Sequence, residues 1–318
     1  MSATAESQNL EPHVVITIPT HNRWGEARVA LARLAQSDYR NFEVVLVDDG
    51  CTDGTSELCA AEFPDVQILN GDGNLWWSGA INKGVEYALD HGADAIIWLN
   101  DDNHVEPRTL SQMVESFKRS GERSVICARV KSTLTNADEW VGGPQTWHPD
   151  YGTWTLPDLS AEEIPAKHPP GGRGVLIPAE CFRELGFVDA QAFPQCWADH
   201  DFHYRAMKAG YRYFIARDAV IWNVPNAERK DSPEKFSIRW ILDFLFHRRS
   251  DMNVIALPRM LKRHFPPREY RAMYYPFLWR SLTWLASGWS ARHSVVYKPL
   301  RAIRRSFVFS FFFGRRAG

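Results

Sequence analysis

Short apolar runs of strand length alternate with amphipathic segments through the first hundred residues. The apolar runs are VVITI at 14–18, EVVLV at 43–47, a shorter one near 66–69 and AIIWL at 95–99. Apolar positions at helical spacing predict helices near 25–36, 54–62 and 78–90. Because strands that alternate with helices indicate βαβ units, the pattern predicts an α/β fold with a mostly parallel central sheet flanked by helices.

Polar residues directly follow three of the predicted strands. They are Pro19-Thr20-His21-Asn22-Arg23, the segment 48–54 and Asn100-Asp101-Asp102. Because ligands bind beyond the carboxyl ends of parallel strands, we expect the three clusters to meet at one edge of the sheet. Taken alone, the segment 48–54 is more typical of a turn and a helix N-cap, but recurrence at three strand ends favours a site.

The chain is less regular from residue 131 to about residue 209. Residues 131–172 are rich in Trp, Pro, Gly and Thr, which predicts loops and hairpins over the site, where an acceptor would lie. The run 171–174 then leads into an apolar segment and a helix near Pro178. A further helix is predicted to open near Asp199 and to run to about Ala209.

Composition excludes several classes of protein. The 318 residues are 45% hydrophobic and 13% aromatic, as in a folded chain, and the five cysteines form no CxxC pair, so neither a disulfide framework nor a zinc site is indicated. The first residues lack a signal-peptide pattern, and no run of about 18 apolar residues occurs. We therefore expect a flexible N-terminus over residues 1–12, a cytoplasmic location and no membrane-spanning helix.

Charge is divided unevenly along the chain. The formal net charge is −1, but residues 226–318 carry 19 Lys and Arg residues against six Asp and Glu, whereas residues 1–225 carry 18 against 32. An acidic body with a basic tail predicts that the tail meets an anionic surface, either lipid head groups or nucleic acid.

Asp101 and Asp102 are adjacent carboxylates at a predicted strand end. Their hard oxygen atoms suit Mg²⁺ or Mn²⁺, which proteins commonly share with substrate phosphates. No G-x-x-x-x-G-K-[ST] or G-x-G-x-x-G pattern lies at a strand–helix junction, which disfavours P-loop hydrolysis and dinucleotide redox chemistry. The remaining possibility is a substrate nucleotide whose diphosphate is the leaving group. A metal ion would offset the charge of that diphosphate.

Asp199 and Asp201 stand at the start of a predicted helix. The helix dipole stabilises a carboxylate there as the anion, so the group can accept a proton from a substrate hydroxyl at neutral pH. An N-cap followed by a first-turn acid is the plainer alternative. Asp199 and His203 also share a helical face, as in some metal sites, but no further His or Cys at metal spacing accompanies them, which favours an ordinary, partly buried His203.

Six segments together carry a family resemblance. They are PTHNR, VDDGCTDGT, GNLWWSGAINKG, WLNDDN, GGRGVLI and WADHDFHYRAMKAGY, in that order across about 14–222. This set resembles the inverting family 2 glycosyltransferases, which include bacterial rhamnosyl- and galactofuranosyltransferases. The resemblance implies a GT-A catalytic domain over residues 13–225, a nucleotide-diphospho-sugar donor and a Mg²⁺ or Mn²⁺ cofactor.

The resemblance also implies roles for individual positions. Pro19, Thr20 and Asn22 match the loop that touches the nucleotide, Asp49 matches the acid that reads its base, and Asp48 lies beside it.

Further along the chain, Gly79 and Asn82 match the stretch that passes the nucleotide and sugar. Asn100 and Asp101 stand with Asp102 where the family has its DxD-like motif, and Asp102 is the position expected to reach the metal.

The last positions carried over concern the chemistry. Asp199 matches the family's aspartate base. Asp201 is expected to be a second acid that acts through Asp199 and does not contact the substrate itself. The resemblance implies a single displacement, in which the acceptor hydroxyl loses its proton to Asp199 as it attacks the anomeric carbon, with inversion.

Four departures from the family pattern bear on this assignment. Asn100 replaces the first acid of the DxD motif, Ala198 stands where the family has Glu, and Asn223 stands where it often has a His. These changes predict a metal site that is less charged than usual. The fourth departure is the pair Trp76-Trp77, which either stacks on the sugar or base or packs beneath the site.

The basic region 226–318 is predicted to be helical and aromatic. Basic residues interleaved with Trp, Phe and Leu, without a spanning run, are typical of a chain lying in a membrane interface. Packing in a homo-oligomer or against the catalytic core is the alternative, and no RNA-binding motif supports nucleic acid. A peripheral position at the inner face of the cell membrane would suit a glycan or polyprenyl-linked acceptor. The resemblance implies the same kind of acceptor, because many bacterial members of that family use one.

Two other functions compete with transfer of a sugar in cell-surface polysaccharide synthesis. A sugar-nucleotide nucleotidyltransferase should carry a Gly-rich loop after its first strand, and PTHNRWG does not supply one. An inactive GT-A-like module that binds glycans or tethers to a membrane is favoured by Asn100 and Ala198, whereas the presence of Asp102 and Asp199 argues against it.

Overall fold

The computed structural model describes residues 11–133, 146–148, 153–155, 160–166, 170–224, 238–250 and 253–293. Most of the expected flexible N-terminus, most of the loop region expected at 131–172 and the end of the basic region lie outside the described residues. The chain divides into two compact units, Met1–Pro225 and Asn226–Gly318.

The first unit contains a sheet whose strands alternate with helices. The strands of this unit are β1 (Val14–Thr20), β2 (Phe42–Asp48), β3 (Gln67–Asn70), β4 (Ala95–Trp98), β5 (Asn103–Val105), β6 (Ser124–Ser132), β7 (Thr146–His148), β8 (Thr153–Thr155), β9 (Glu163–Pro165), β10 (Val175–Pro178) and β11 (Arg212–Asn223). Strands β7 and β8 pair with each other in a separate sheet. Its helices are α1 (Trp24–Leu34), α2 (Thr55–Glu62), α3 (Trp76–Asp90), α4 (Thr109–Ser120), α5 (Ala179–Leu185) and α6 (Ala198–Lys208).

Within the described part of the chain, nine strands form one sheet in the order β3-β2-β1-β4-β10-β6-β11-β5, with β9 paired to β11. Strands β3, β2, β1 and β4 are parallel, as are β6 and β11. Their carboxyl ends therefore lie along one edge, as the sequence predicts. Strand β10 is antiparallel to β4, with Val175 opposite Trp98, so the segment before β10 enters at that same edge.

The central strands are buried on both faces. Val15, Ile16, Val45 and Ile96 are inaccessible to solvent, which explains the nearly continuous apolar runs in place of an alternating pattern. Burying each such side chain contributes about 1.5–3 kcal/mol. These strands therefore form a rigid base for the loops that follow them.

Gly174 joins the edge of the sheet to its core. Its N–H donates to the Trp98 carbonyl at 2.8 Å, and its carbonyl accepts from Ala128 N–H at 2.8 Å. Its φ is +63°, and an added Cβ would lie 1.9 Å from Ile221 Cδ1. Only glycine satisfies both constraints, so the segment 171–174 is held in place by close backbone packing.

The second unit is helical in its described residues, as the sequence predicts. It contains α7 (Ile238–Phe246), α8 (Ala256–His264) and α9 (Pro267–His293). Asn253 connects the first two helices, because its Nδ2 donates to the Phe246 carbonyl at 2.9 Å and its Oδ1 accepts from Ala256 N–H at 2.9 Å. None of the helices in the described residues is both long enough and apolar enough to cross a membrane.

Candidate functional site

The loops after β1 and β2 are joined by hydrogen bonds. Asp49 N–H donates to the Thr20 carbonyl at 3.0 Å, and Thr52 N–H donates to Asn22 Oδ1 at 2.6 Å. Pro19 lies opposite Val47 in the paired strands. The structure therefore brings the first two predicted clusters together at the sheet edge.

The carboxylates of Asp48 and Asp49 are buried and engaged within the protein. Asp48 accepts from Cys51 N–H at 2.6 Å and from Ser56 Oγ–H at 2.5 Å. Asp49 accepts from the N–H groups of Gly73 (2.9 Å), Leu75 (3.1 Å) and Trp76 (2.9 Å). Hydrogen bonds to a charged group contribute about 1.5–3 kcal/mol each, so Asp49 fixes the start of α3. Its predicted role in reading a base stays a prediction.

The third cluster lies beside the first. Thr20 Oγ1–H donates to Asp101 Oδ2 at 3.0 Å, and the Arg23 guanidinium lies 3.1 Å from Asp101 and 3.5 Å from Asp102. Burial raises the pKa of Asp101 to about 7, against the lowering effect of Arg23. Strand ends β1 and β4 are thus joined by an acid–base cluster.

Asp199 lies at the start of α6 and is surrounded by donors. Its Oδ2 accepts from Gly172 N–H at 2.9 Å, and its Oδ1 accepts from His200 N–H at 2.8 Å and lies 3.0 Å from His200 Nδ1. Burial would raise the pKa of Asp199, but the nearby His200 and His203 and the hydrogen bonds from His200 lower it to about 2. The Asp199 carboxylate in turn raises the pKa of His200, although burial opposes that charge. Asp199 is therefore ionised at neutral pH.

Trp77 connects the Asp199 region to the end of β4. Its Nε1–H donates to Asn100 Oδ1 at 3.0 Å, and an added Cβ on Gly172 would lie 2.3 Å from its ring. Its ring also packs edge-on against buried Trp98, with centroids 5.6 Å apart. Of the two interpretations left open for this tryptophan, these contacts favour packing beneath the site.

Asp201 points to a different part of the molecule from Asp199. It is fully buried, and its Oδ2 lies 3.2 Å from Arg205 Nε. The Arg205 guanidinium also donates to the carbonyls of Leu185 (2.8 Å) and Phe187 (2.7 Å), which ties α6 to the end of α5. The catalytic role assigned to Asp201 stays a prediction.

Asn82 and Gly79 occupy α3 and serve its packing. The Asn82 amide donates to the Val188 carbonyl at 2.9 Å and accepts from Val188 N–H at 3.1 Å. A Cβ on Gly79 would lie 3.1 Å from Leu75 Cβ. Neither residue has a contact that tests its predicted approach to the nucleotide and sugar.

His203 is fully buried, not partly buried as the sequence suggests. Its Nδ1 lies 3.0 Å from the Tyr213 hydroxyl, and burial lowers the pKa of His203 to about 3, so the ring is neutral. Among the described residues, no group of three or more His, Cys, Asp or Glu side chains is arranged to hold a metal ion. These observations favour the structural interpretation of His203.

Backbone strain is concentrated at this edge of the sheet. In the described residues, positive φ outside glycine occurs at Asn22 (54°), Trp76 (57°) and Trp197 (76°). These residues lie after β1, at the start of α3 and before α6, each beside one of the predicted site segments. Such conformations cost about 1–3 kcal/mol each and typically cluster where function requires a fixed geometry.

Residues 15–159 match the family model described as glycosyl transferase family 2. This stretch carries a family 2 glycosyltransferase domain. This finding confirms the family resemblance, and the first four of the six motifs lie within the matched residues.

Curated relatives share this glycosyltransferase domain at low identity. The undecaprenyl-phosphate mannosyltransferase of Micrococcus luteus is 29% identical over 33% of this chain and 44% of its own length. An N-acetylglucosaminyl-diphospho-decaprenol L-rhamnosyltransferase of Mycobacterium tuberculosis is 25% identical over 57% and 66%, and the succinoglycan biosynthesis protein ExoA of Rhizobium meliloti is 27% identical over 67% and 64%. The chain thus spans less than two thirds of each relative's length.

Solved structures confirm the predicted GT-A fold. A mannosyltransferase from Pyrobaculum calidifontis in complex with GDP-Man and Mn²⁺ has a TM-score of 0.58 and 16% identity, over 96% of this chain and 83% of that one. GalNAc-T7 with UDP, GalNAc and Mn²⁺ has a TM-score of 0.58 and 14% identity, over 91% and 59%. At such identity the likeness shows the fold alone.

Three residues of the candidate site have no role predicted from the sequence: Arg23, Gly172 and His200. Arg23 directly follows the PTHN segment. Its basic side chain, next to two strand ends that carry acids, was a sequence signal for an ion pair with those acids. The contacts of Gly172 with Asp199 and Trp77 depend on the antiparallel entry of β10 and had no local signal.

Asp102 offers an oxygen atom that suits a divalent cation. Its Oδ1 is buried and has no hydrogen-bond partner. Asn223 lies opposite Asn103, the residue after Asp102, and its Oδ1 accepts from Asn103 Nδ2 at 3.2 Å. A Mg²⁺ or Mn²⁺ site commonly needs only one or two carboxylates together with substrate phosphates and water. The residues of this edge therefore fit such a cation, with Asp102 as its charged ligand.

Proposed function

We propose that the domain transfers a sugar, with inversion, from a nucleotide-diphosphate donor to a hydroxyl of a glycan or polyprenyl-linked acceptor in cell-surface polysaccharide synthesis. The observation that carries this proposal is the connection from Asp199 through Gly172 and Trp77 to Asn100, two residues before Asp102. This connection joins an ionised base to a carboxylate that suits a cation, at one edge of the sheet. The curated relatives named for undecaprenyl and decaprenol substrates support a lipid-linked acceptor.

The proposed reaction is one displacement at the anomeric carbon. The acceptor oxygen forms a bond to that carbon while the bond from the carbon to the diphosphate oxygen breaks, and the hydroxyl proton moves to Asp199. The nucleoside diphosphate leaves with the bonding electron pair. Asp199 is suited to the proton transfer because it is ionised and held by Gly172 and His200.

The other site residues would position the donor. Thr20 and Asn22 belong to the loop assigned to the nucleotide, and Asp49 holds the start of α3 next to that loop. A Mg²⁺ or Mn²⁺ ion held by Asp102 would offset the charge that develops on the leaving diphosphate. Two neighbours in fold were crystallised with Mn²⁺, which supports this choice of cofactor.

A donor panel tests the proposal directly. We expect one class among UDP-, dTDP- and GDP-sugars to bind and to be hydrolysed slowly in the presence of Mg²⁺ or Mn²⁺. Isothermal titration and release of the nucleoside diphosphate would measure both steps. An inactive binding module, the second candidate, is favoured by Asn100 and Ala198 and predicts glycan binding with no donor turnover under any metal condition.

We further propose that the second unit docks on the inner face of the cell membrane. Its described residues carry ten Lys and Arg residues against two acidic ones. One face of α9, which we call the α9 outer face, exposes Arg268, Arg271, Tyr275, Trp279 and Leu282 at helical spacing. Basic residues near an anionic bilayer contribute about 1 kcal/mol each, and Trp and Tyr suit the head-group region.

Vesicle sedimentation should detect this docking. We expect the chain to bind vesicles that contain anionic phospholipid and not neutral vesicles, and we expect W279S/L282S to weaken binding by at least about tenfold, since two apolar side chains leave the bilayer. Leu58→Ser is the matched control, because Leu58 is similarly exposed on the acidic unit. Unchanged binding by the double variant, together with its loss of self-association in ultracentrifugation, would support the oligomer alternative instead.

A further inference from the structure

Arg23 lies between the two acids at the end of β4. Its Nη1 is 3.1 Å from Asp101 Oδ1, and its Nη2 is 3.5 Å from Asp102 Oδ2. Throughout the described residues, no other Lys or Arg lies within ion-pair distance of either acid. Both carboxylates are largely buried, and a buried charge without a partner is costly. Arg23 therefore supplies a positive charge that partly compensates this pair.

The Arg23 guanidinium would also repel a metal cation bound to Asp102. Asp102 uses Oδ2 toward Arg23, while its buried Oδ1 has no hydrogen-bond partner. A divalent ion on Oδ1 would therefore share the Asp102 carboxylate with the positively charged Arg23 guanidinium. Like charges this close together repel strongly in a partly buried site.

We propose that Arg23 is the internal counter-ion of the cation site: it offsets part of the negative charge of Asp101 and Asp102 when no metal is bound and competes with a divalent cation for Asp102. Arg23 immediately precedes α1, in the loop assigned to the nucleotide, so it stays at this edge when a cation displaces it from Asp102. Glu26, at 3.9 Å from Nη2, offers the displaced guanidinium a second carboxylate. The identity of the cation rests on the proposed function.

Binding of Mn²⁺ to the protein without donor tests this proposal. The free Mn²⁺ signal in electron paramagnetic resonance would be titrated against wild type, Arg23→Gln and the matched control Arg28→Gln. Arg28 lies on α1, the helix that Arg23 precedes, and pairs with Glu62 at 2.6 Å instead of with either acid. We expect R23Q to bind Mn²⁺ about tenfold more tightly than wild type, because one opposing charge is removed, and R28Q to match wild type.

Thermal unfolding provides an independent readout. R23Q leaves Asp101 and Asp102 without their counter-ion, so we expect a lower Tm than wild type without metal and a larger rise in Tm on adding Mn²⁺. Equal or weaker Mn²⁺ binding by R23Q, or no binding by any of the proteins, would overturn the counter-ion role. The donor assay, which is run with nucleotide sugar, judges the transferase proposal separately.

A variant that retains a charge covers a failure of R23Q to fold. Arg23→Lys places a single ammonium where a forked guanidinium reaches two carboxylates. We expect R23K to bind Mn²⁺ about threefold more tightly than wild type, since the partner of Asp102 is lost. Wild-type affinity in R23K would then count against the proposal.

Discussion

The substitution Asp199→Asn is expected to reduce sugar transfer by about a thousandfold, because it removes the group that accepts the acceptor proton. The asparagine side chain has the same shape but no negative charge, so donor binding should persist with little change. Initial rates of transfer and donor affinity by calorimetry would separate the two effects. A loss in kcat with an unchanged donor Kd is the expected signature.

The local hydrogen bonds predict a modest structural cost for the same variant. Asp199 accepts from Gly172 N–H with one oxygen and from His200 N–H with the other. An asparagine amide can replace only one of these acceptors, so one donor is left facing an NH₂ group, at a cost of about 1–3 kcal/mol. Asp218→Asn is the matched control, since Asp218 is exposed and pairs with Arg217 at 2.9 Å.

The pH dependence of stability distinguishes the charge of Asp199 from its shape. Its pKa in the folded protein, about 2, lies below its ordinary value of 3.8. Ionised Asp199 therefore stabilises the fold above about pH 4, and this contribution is lost as the pH falls toward 2. The difference in unfolding free energy between wild type and D199N should shrink between pH 7 and pH 3 in urea titrations. Wild-type turnover by D199N would exclude Asp199 as the base.

The sheet edge was predictable because its signals are local. Apolar runs define the buried strands, and the polar residues that follow β1, β2 and β4 must lie at their carboxyl ends once the strands are parallel. The sequence therefore predicts that Thr20, Asp49 and Asp101 are neighbours. It also predicts Asp199 at the start of a helix, because that position precedes an amphipathic segment.

The particular contacts depend on long-range packing that no local pattern encodes. The engagement of Asp49 by the backbone of Gly73, Leu75 and Trp76 requires the tight loop before α3. The separation of Asp201 from Asp199 follows from the turn of α6, which directs Asp201 toward Arg205 and the end of α5. Two acids that are close in sequence thus have different partners in the fold.

The substitution Asp102→Asn is expected to lower metal-dependent donor hydrolysis by at least about a hundredfold. Asp102 is the acid whose buried Oδ1 has no hydrogen-bond partner, whereas both oxygens of Asp101 are engaged by Thr20 and Arg23. An amide oxygen is a weaker ligand for Mg²⁺ or Mn²⁺ than a carboxylate, because it carries no formal charge. Rates measured across a range of Mn²⁺ concentrations would test this.

The stability of D102N separates a ligand role from a structural one. Asp102 meets Arg23 only at 3.5 Å and carries a buried oxygen atom without a partner, so neutralising it should leave the Tm without metal unchanged or slightly higher. Mn²⁺ should raise the Tm of wild type and of D218N but not of D102N. A large fall in Tm for D102N without metal would instead assign Asp102 a structural role. Loss of the Mn²⁺ response at unchanged stability requires that the Asp102 carboxylate itself binds the ion.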